Sequence, residues 1–532
     1  MLYRKLALLS ICMPFLLLGS AGTATEQGTE GKKIQFETHF AQPTITDENL
    51  SIAINAVDKT AEKIVADNVL PGLAISIVHN DKVVYAKGFG LREVGKADKV
   101  DQDTVFQLAS CSKPLASTVV AALVGEGKIS WDSKISNLDS SFQMNDPWVT
   151  REITLRDMFS HRSGLPDHAG DVLEDLGYDR EQILYRLRFQ QPDSSFRSAY
   201  AYTNFGLTEA AVAAAKTNKL SWEETSEQKL YKPLAMKSTS SRYADFMGRQ
   251  NKALGHVLLD GKWVQKYKRQ PDAQSPAGGA SSSVNDMAKW MMMQIAGGKY
   301  EGKEVVSSAA LEETHHPQVK TQFSPLNGLP EFYGLGFNVS YDAAGRLRLS
   351  HSGAFSMGAA TTVVMIPSEK LGICVLTNAY PIGVAEGIAA IFTDTALFGK
   401  TTQNWLPLFR SIFSDPATLG VTENSTYNKP QQSPVAAHSF DAYIGKYENE
   451  FYGELQIMKG DNGLSAVLGP RKMTFPLKHF DRDIFTYEIE SEDLSGTSGL
   501  RFDVDSNGKA AQVLIENLNQ NGQGSFKRVA AA

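Results

Sequence analysis

Residues Phe106-Gln107-Leu108-Ala109-Ser110-Cys111-Ser112-Lys113-Pro114-Leu115 set a hydroxyl and an amine three residues apart at what reads as a helix start. Downstream, apolar Leu115, Val119, Val120 and Leu123 recur at three- and four-residue steps, the pattern of a helix buried along one side. Residues i and i+3 share a helix face, so Lys113 can reach the Ser110 oxygen. A serine hydroxyl is a poor nucleophile until a base takes its proton, and a lysine serves only if its surroundings keep the amine neutral. Moving an amine from a pKa of about 10.4 toward 7 requires roughly 4–5 kcal/mol of environment, so such a lysine has to be enclosed. The helix start adds unpaired N–H groups suited to an oxyanion.

The tetrapeptide pattern alone is weak, because Ser-x-x-Lys recurs at Ser226/Lys229 and Ser506/Lys509. Context separates Ser110 from these: apolar Val105-Phe106 leads in and an apolar helical stripe leads out. Two further motifs follow it in the chain, Tyr202-Thr203-Asn204 in a helical stretch and His351-Ser352-Gly353 at the end of an expected strand. Tyr-x-Asn also recurs, at Tyr447-Glu448-Asn449, so order and placement carry the weight.

Outward toward the N-terminus, Leu50, Ile54, Val57, Ala61, Ile64 and Val65 lie at helical spacing, and Pro71-Gly72 closes that helix. Leu73–Val78 and Val83–Ala86 read as strands joined by the turn residues His79-Asn80-Asp81-Lys82. Further out, Arg4 and Lys5 precede an apolar run from Leu6 to Leu18 and small residues from Gly19 to Ala24, a signal peptide over 1–24. The run is too short for a membrane span and contains Pro14, so the expectation is a secreted or periplasmic protein without a stable membrane anchor.

Toward the C-terminus, the chain from about 130 to 290 is helical and loop-rich. Thr154 with Asp157 resembles a capping box, 181–189 and 207–217 are helix candidates, and a helix starts over Val284–Ile295 after Pro276-Ala277-Gly278-Gly279. Strand signals return at Phe337–Tyr341, Arg346–Ser350, Thr361–Ile366 and Leu371–Thr377, with a helix near 382–398. Strands at both ends of a helical block predict an α/β (α+β) domain over 25–400: one antiparallel sheet flanked by helices, with a helical insertion and a cleft between them. Residues 401–437 form a connecting segment and linker. From 438 to 532 short alternating strands such as Leu455/Ile457 and Phe485/Tyr487/Ile489 predict a small all-β barrel.

Loss of Arg4 and Lys5 takes the formal charge from -6 to about -8 without any basic cluster, so nucleic acid is not an expected partner. Beyond the leader the cysteines are Cys111 and Cys374, too few for a disulfide framework; whether they pair stays open. Cys111 reads as a small buried residue. His161, His168 and the pair His315-His316 read as loop residues outside any zinc-ligand pattern, and no metal or cofactor is expected.

Taken together, residues 50–400 resemble the serine hydrolases of the class C beta-lactamase, DD-peptidase and esterase group. The resemblance rests on Ser110/Lys113, Tyr202/Asn204 and His351-Ser352-Gly353 in a Lys-Thr-Gly-like position. Ser160-His161-Arg162-Ser163-Gly164-Leu165-Pro166, Pro276-Ala277-Gly278-Gly279 and Tyr333-Gly334-Leu335-Gly336-Phe337 add to it. The tail from 438 resembles the lipocalin-like barrels appended to some members.

The resemblance implies an acyl-enzyme on Ser110, with Lys113 and Tyr202 sharing the proton transfers and the choice of base between them open. Substrate binding would fall to Asn204, His351, Ser352, Gly353 and Ala354, and the oxyanion hole to the N–H groups of Ser110 and Ala354. His351 stands where many beta-lactamases carry a lysine, and a histidine is mostly neutral at about pH 7. Amide hydrolysis of small peptides, including D-residue peptides, is therefore the leading expectation. An esterase or weak beta-lactamase on the same site is one alternative, and a non-catalytic penicillin-binding or sensor homologue is another. The partner is a small peptide, ester or beta-lactam substrate, and a homo-oligomer is compatible with the reading.

Overall fold

A computed structural model describes residues 45–324, 328–342, 344–414, 427, 429, 431–460, 463–492 and 495–530. The expected signal peptide, residues 421–426 of the expected linker and the turn residues Asp461 and Asn462 lie outside these. Helix α1 (Asp47–Ala66) starts where the Thr46 hydroxyl accepts the Asn49 N–H, and it buries the expected stripe Leu50, Val57, Ala61 and Ile64. Strands β1 (Gly72–His79) and β2 (Lys82–Gly90) form the expected hairpin. Asn80 and Asp81 both take positive φ there (51° and 59°), the twist a two-residue turn needs.

The late strands join this hairpin. β3 (Val319–Phe323), β4 (Pro330–Tyr333), β5 (Asn338–Tyr341), β6 (Leu347–Phe355), β7 (Ala359–Ile366) and β8 (Leu371–Thr377) complete an antiparallel eight-stranded sheet ordered β2-β1-β8-β7-β6-β5-β4-β3. Pairing of β1 with β8, Ile75 opposite Val375, brings the two ends of the sequence together. Along β1, Leu73, Ile75 and Ile77 face a core shared with α1 and α6 (Val384–Phe398). Ala74 and Val78 face the larger core shared with α2 (Ser112–Gly125) and α4 (Val284–Ile295). Strand alternation thus builds two helical layers on one sheet.

Two expectations need correction. β6 runs on past Ser350 to Phe355, so His351, Ser352, Gly353 and Ala354 lie within the strand. His315 is the half-buried last residue of helix α5 (Ser308–His315) rather than a loop residue. The edge strand β3 and its neighbour β4 are not legible in the sequence because β3, with Lys320, Gln322 and Phe323 exposed, has no buried face to impose alternation. Helix α7 (Trp405–Ile412) lies within the connecting segment. The remaining long helix, α3 (Asn204–Lys216), crosses the helical block.

The C-terminal strands β9 (Gly445–Asn449), β10 (Gly453–Gly460), β11 (Gly463–Leu468), β12 (Met473–Asp481), β13 (Ile484–Glu490), β14 (Ser495–Val504), β15 (Ala510–Ile515) and β16 (Ser525–Arg528) close into a barrel. Its interior holds the alternating Leu455, Ile457, Phe485, Tyr487 and Phe502. Barrel and sheet belong to one compact unit. The Tyr178 hydroxyl donates to Tyr452 O, Arg186 to Glu450 O and Phe451 O, and Gln523 to Phe189 O.

Candidate active site

Ser110 sits in a 3-10 turn (Ala109–Cys111) that feeds directly into α2. Ala109 takes φ +46°, a conformation costing about 1–2 kcal/mol for a residue with a Cβ, and it is held there by Phe355 and Ala359. Lys113, one turn on, is fully buried. Its Nζ lies 3.1 Å from Ser110 Oγ, 2.6 Å from Asn204 Oδ1 and 3.0 Å from Ala277 O. The Tyr202 hydroxyl donates to Ser110 Oγ at 2.7 Å, and its ring lies beneath Lys113 Nζ at 4.4 Å. The structure therefore brings together Ser110, Lys113, Tyr202 and Asn204 from two separated stretches.

Protonation follows from this enclosure. Desolvation pushes Lys113 down to about 7, against an opposing pull from the Asp171 carboxylate. Two of its three partners, the Asn204 and Ala277 oxygens, can only accept. A neutral amine has two N–H groups for those two acceptors, which leaves its lone pair for the Ser110 hydroxyl. Burial holds the Tyr202 phenol well above 10, so it keeps its proton at neutral pH.

The third motif closes the other side. A Cβ on Gly353 would lie 2.3 Å from Leu108 O and 2.8 Å from Ser110 N, so only glycine lets β6 press against the nucleophile turn. Ala354 follows, exposed on the strand. The His351 and Ser352 side chains are engaged within the protein. His351 Nδ1–H donates to Ser352 O at 2.7 Å and Nε2 accepts the Tyr333 hydroxyl at 2.9 Å, which fixes the neutral tautomer. Burial and the nearby Lys113 push its pKa down to about 3. The Ser352 hydroxyl donates to Thr362 Oγ1 across to β7.

Several neighbours escaped the sequence reading. His161 is in a turn, as expected, yet it is fully buried, its ring centroid 4.7 Å from those of Tyr202 and Tyr333. Ala277 contributes through a carbonyl, which no side-chain motif can signal, although its glycine-rich loop was visible. Asp171 accepts from Asn204 Nδ2 at 2.7 Å with no spacing pattern to mark it. Glu492, in the turn between β13 and β14, accepts the N–H groups of Ser356 and Met357 at the end of β6 (2.6 and 3.3 Å), and the Ser356 hydroxyl donates to Glu492 O. The barrel thus holds the strand that carries Gly353 and Ala354. The duplicate motifs have structural roles: Ser226 bonds Trp222 O, Lys229 pairs with Glu126, Tyr447 fills the barrel and Asn449 caps its first turn. Cys111 and Cys374 are both free and buried. Among the described residues no cluster of His, Cys, Asp and Glu could hold a metal, and no helix is long and apolar enough to cross a membrane.

An antiparallel sheet with helical layers, and a serine, lysine and tyrosine converging at a helix start, are the features of the beta-lactamase-like serine hydrolase family. The chain matches the Beta-lactamase family over residues 57–393 and belongs to that family. Residues 429–526 match a domain of unknown function, DUF3471. The chain is 26% identical over 437 residues to Beta-lactamase-like protein 2 of Dictyostelium discoideum, covering 79% of this chain and 75% of that one. It is 24% identical over 460 residues to Unguisins hydrolase ungD of Aspergillus violaceofuscus, covering 79% and 80%. Among solved structures, the octameric penicillin-binding protein homologue from Pyrococcus abyssi shares the fold at a TM-score of 0.58 and 21% identity, over 87% of this chain and 98% of that one. The class C beta lactamase from Rhodobacter sphaeroides does so at 0.52 and 20%, over 65% and 98%.

Proposed function

We propose that the protein is a secreted serine hydrolase that cleaves amide bonds of small peptides through an acyl-enzyme on Ser110. The observation that carries this reading is the double engagement of Ser110 Oγ, 3.1 Å from a buried lysine amine and 2.7 Å from a protonated tyrosine. Lys113 takes the Ser110 proton as Oγ attacks the carbonyl, and the ammonium it becomes is stabilised over the Tyr202 ring. The oxyanion forms against the N–H groups of Ser110 and Ala354. Tyr202 hands its proton to the leaving nitrogen and regains one from the Lys113 ammonium. The C–N bond breaks, the amine departs, and water then releases the acyl group by the reverse sequence.

Peptides are favoured over beta-lactams because His351 is neutral and internally bonded where a carboxylate-holding cation would serve. The similarity to an unguisins hydrolase supports hydrolysis by this scaffold.

The test is intact-mass analysis of the mature chain with benzylpenicillin, a nitrophenyl ester and short L- and D-peptides, with Ser110→Ala as control. Ser110-dependent peptide turnover with little antibiotic loss is expected. Ester turnover without any peptide turnover would make it an esterase, efficient antibiotic hydrolysis would make it a beta-lactamase, and inertness toward every probe would leave a non-catalytic homologue.

A further inference from the structure

Asn204 can orient Lys113 only if its amide presents oxygen rather than nitrogen to the amine. Nothing in Asn204 itself decides this. The decision comes from Asp171, almost completely buried at the start of the helix Asp171–Asp175, whose Oδ2 accepts Asn204 Nδ2–H at 2.7 Å. The same oxygen accepts His168 Nδ1–H at 2.7 Å, while Asp171 Oδ1 is buried without a hydrogen-bond partner among the described residues. The turn is anchored to the site a second time, since the His168 N–H donates to Tyr202 O at 2.7 Å. The His168 ring stands 5.6 Å from the Tyr202 ring and is about half exposed.

We propose that His168 and Asp171 form a positioning pair that orients Asn204 and sets the charge balance in which Lys113 acts as base. The inference rests on the assignment of Ser110 as nucleophile. The groups packed around Lys113 are Ser110 and Cys111 from its own turn, Tyr202 and Asn204, the Ala277 carbonyl, the neutral rings of His161 and His351, and the Asp171–His168 pair. The one carboxylate in this set is Asp171, and it favours the charged form of Lys113. Desolvation disfavours a charge on His168, but the bond to Asp171 outweighs it and raises the ring's pKa above its ordinary value. Protonation of the ring, which the Asp167 carboxylate 4.0 Å from Nε2 also favours, offsets the Asp171 charge that Lys113 feels.

The two members therefore act in opposite directions. Asp171→Asn removes the anion and retains the shape; His168→Gln retains a donor for Asp171 and removes the cation. The measurement is the titration of Lys113 in the full chain by NMR of 13Cε-labelled lysine, assigned with Lys113→Arg. The pH dependence of Ser110 acylation by a nitrophenyl ester is followed in parallel. We expect the Lys113 midpoint to move down by about one pH unit in Asp171→Asn and up in His168→Gln, with the acid limb of acylation following. A pair with a merely structural role would leave both midpoints in place or move them the same way, and either result overturns the proposal. The lysine titration needs no turnover, so an inert wild-type protein would refute the hydrolase reading while the midpoints still judge the pair.

Discussion

Replacement of Gly353 by alanine isolates the contact that joins the nucleophile turn to the third motif. The added Cβ would stand 2.3 Å from Leu108 O, 2.5 Å from Thr361 Oγ1 and 2.8 Å from Ser110 N. Two of these atoms are backbone. The third belongs to a hydroxyl already donating to Leu108 O at 2.7 Å, so it has nowhere to retreat. An ordinary carbon–oxygen contact needs about 3.4 Å, so β6 and the Leu108–Ser110 turn must separate by about 1 Å. Overpacking of this kind costs about 1–3 kcal/mol of stability, leaving most of the protein folded. The same displacement moves the Ala354 N–H away from an oxyanion on the Ser110 adduct, and misplacement of that size or loss of one such donor costs about 10²–10³ in rate. Single-turnover acylation by a nitrophenyl ester, normalised to folded protein by near-UV circular dichroism, reads this directly. Acylation within threefold of wild type in a folded Gly353→Ala protein would refute the assignment of β6 as the oxyanion strand.

Other expectations follow from the same geometry. Because burial holds Lys113 at about 7, wild-type acylation should rise tenfold per pH unit below that point and level off above it, whereas Lys113→Arg, which cannot lose its proton, should fall by at least about 10³ at every pH; stopped-flow burst rates from pH 5 to 9 check both. Tyr202→Phe should lose more than about 10² on an anilide but less than about 10 on a nitrophenyl ester, since only the amine leaving group needs the tyrosine proton; equal losses would count against the peptidase reading. Glu209 is buried in α3 and burial raises its carboxyl to about 8, so the folded state keeps a proton that the unfolded chain releases above about 4.5 and stability falls as pH rises from 4.5 to 8. Glu209→Gln should therefore match wild type near pH 5 and exceed it at pH 8 by up to about 4 kcal/mol in urea unfolding. Glu492→Ala should free the Ser356–Met357 turn and lower ester acylation by about 10-fold or more with the barrel still folded; unchanged rates would show that barrel and strand are not coupled through this side chain.

By itself the sequence determined the elements whose patterns are local. The α1 stripe, the hairpin around Asn80-Asp81, the Thr154/Asp157 capping box and helix α4 follow from spacing and turn chemistry, and so does the barrel, whose strands each alternate toward one interior. Ser110 and Lys113 were legible for the same reason: one helical turn relates them. Tertiary structure alone decided what lies far apart in the chain. Asp171 meets Asn204 across 33 residues, Ala277 reaches Lys113 across 164, and Glu492 reaches Ser356 across 136. None of these separations leaves a periodic trace, and a carbonyl such as that of Ala277 has no residue type to reveal it. The protonation states were also beyond the sequence, because desolvation depends on what surrounds a group. Only burial lowers the Lys113 amine to about 7 and keeps the Tyr202 phenol protonated, and burial beside Lys113 keeps His351 neutral while its bonds to Tyr333 and Ser352 fix the tautomer.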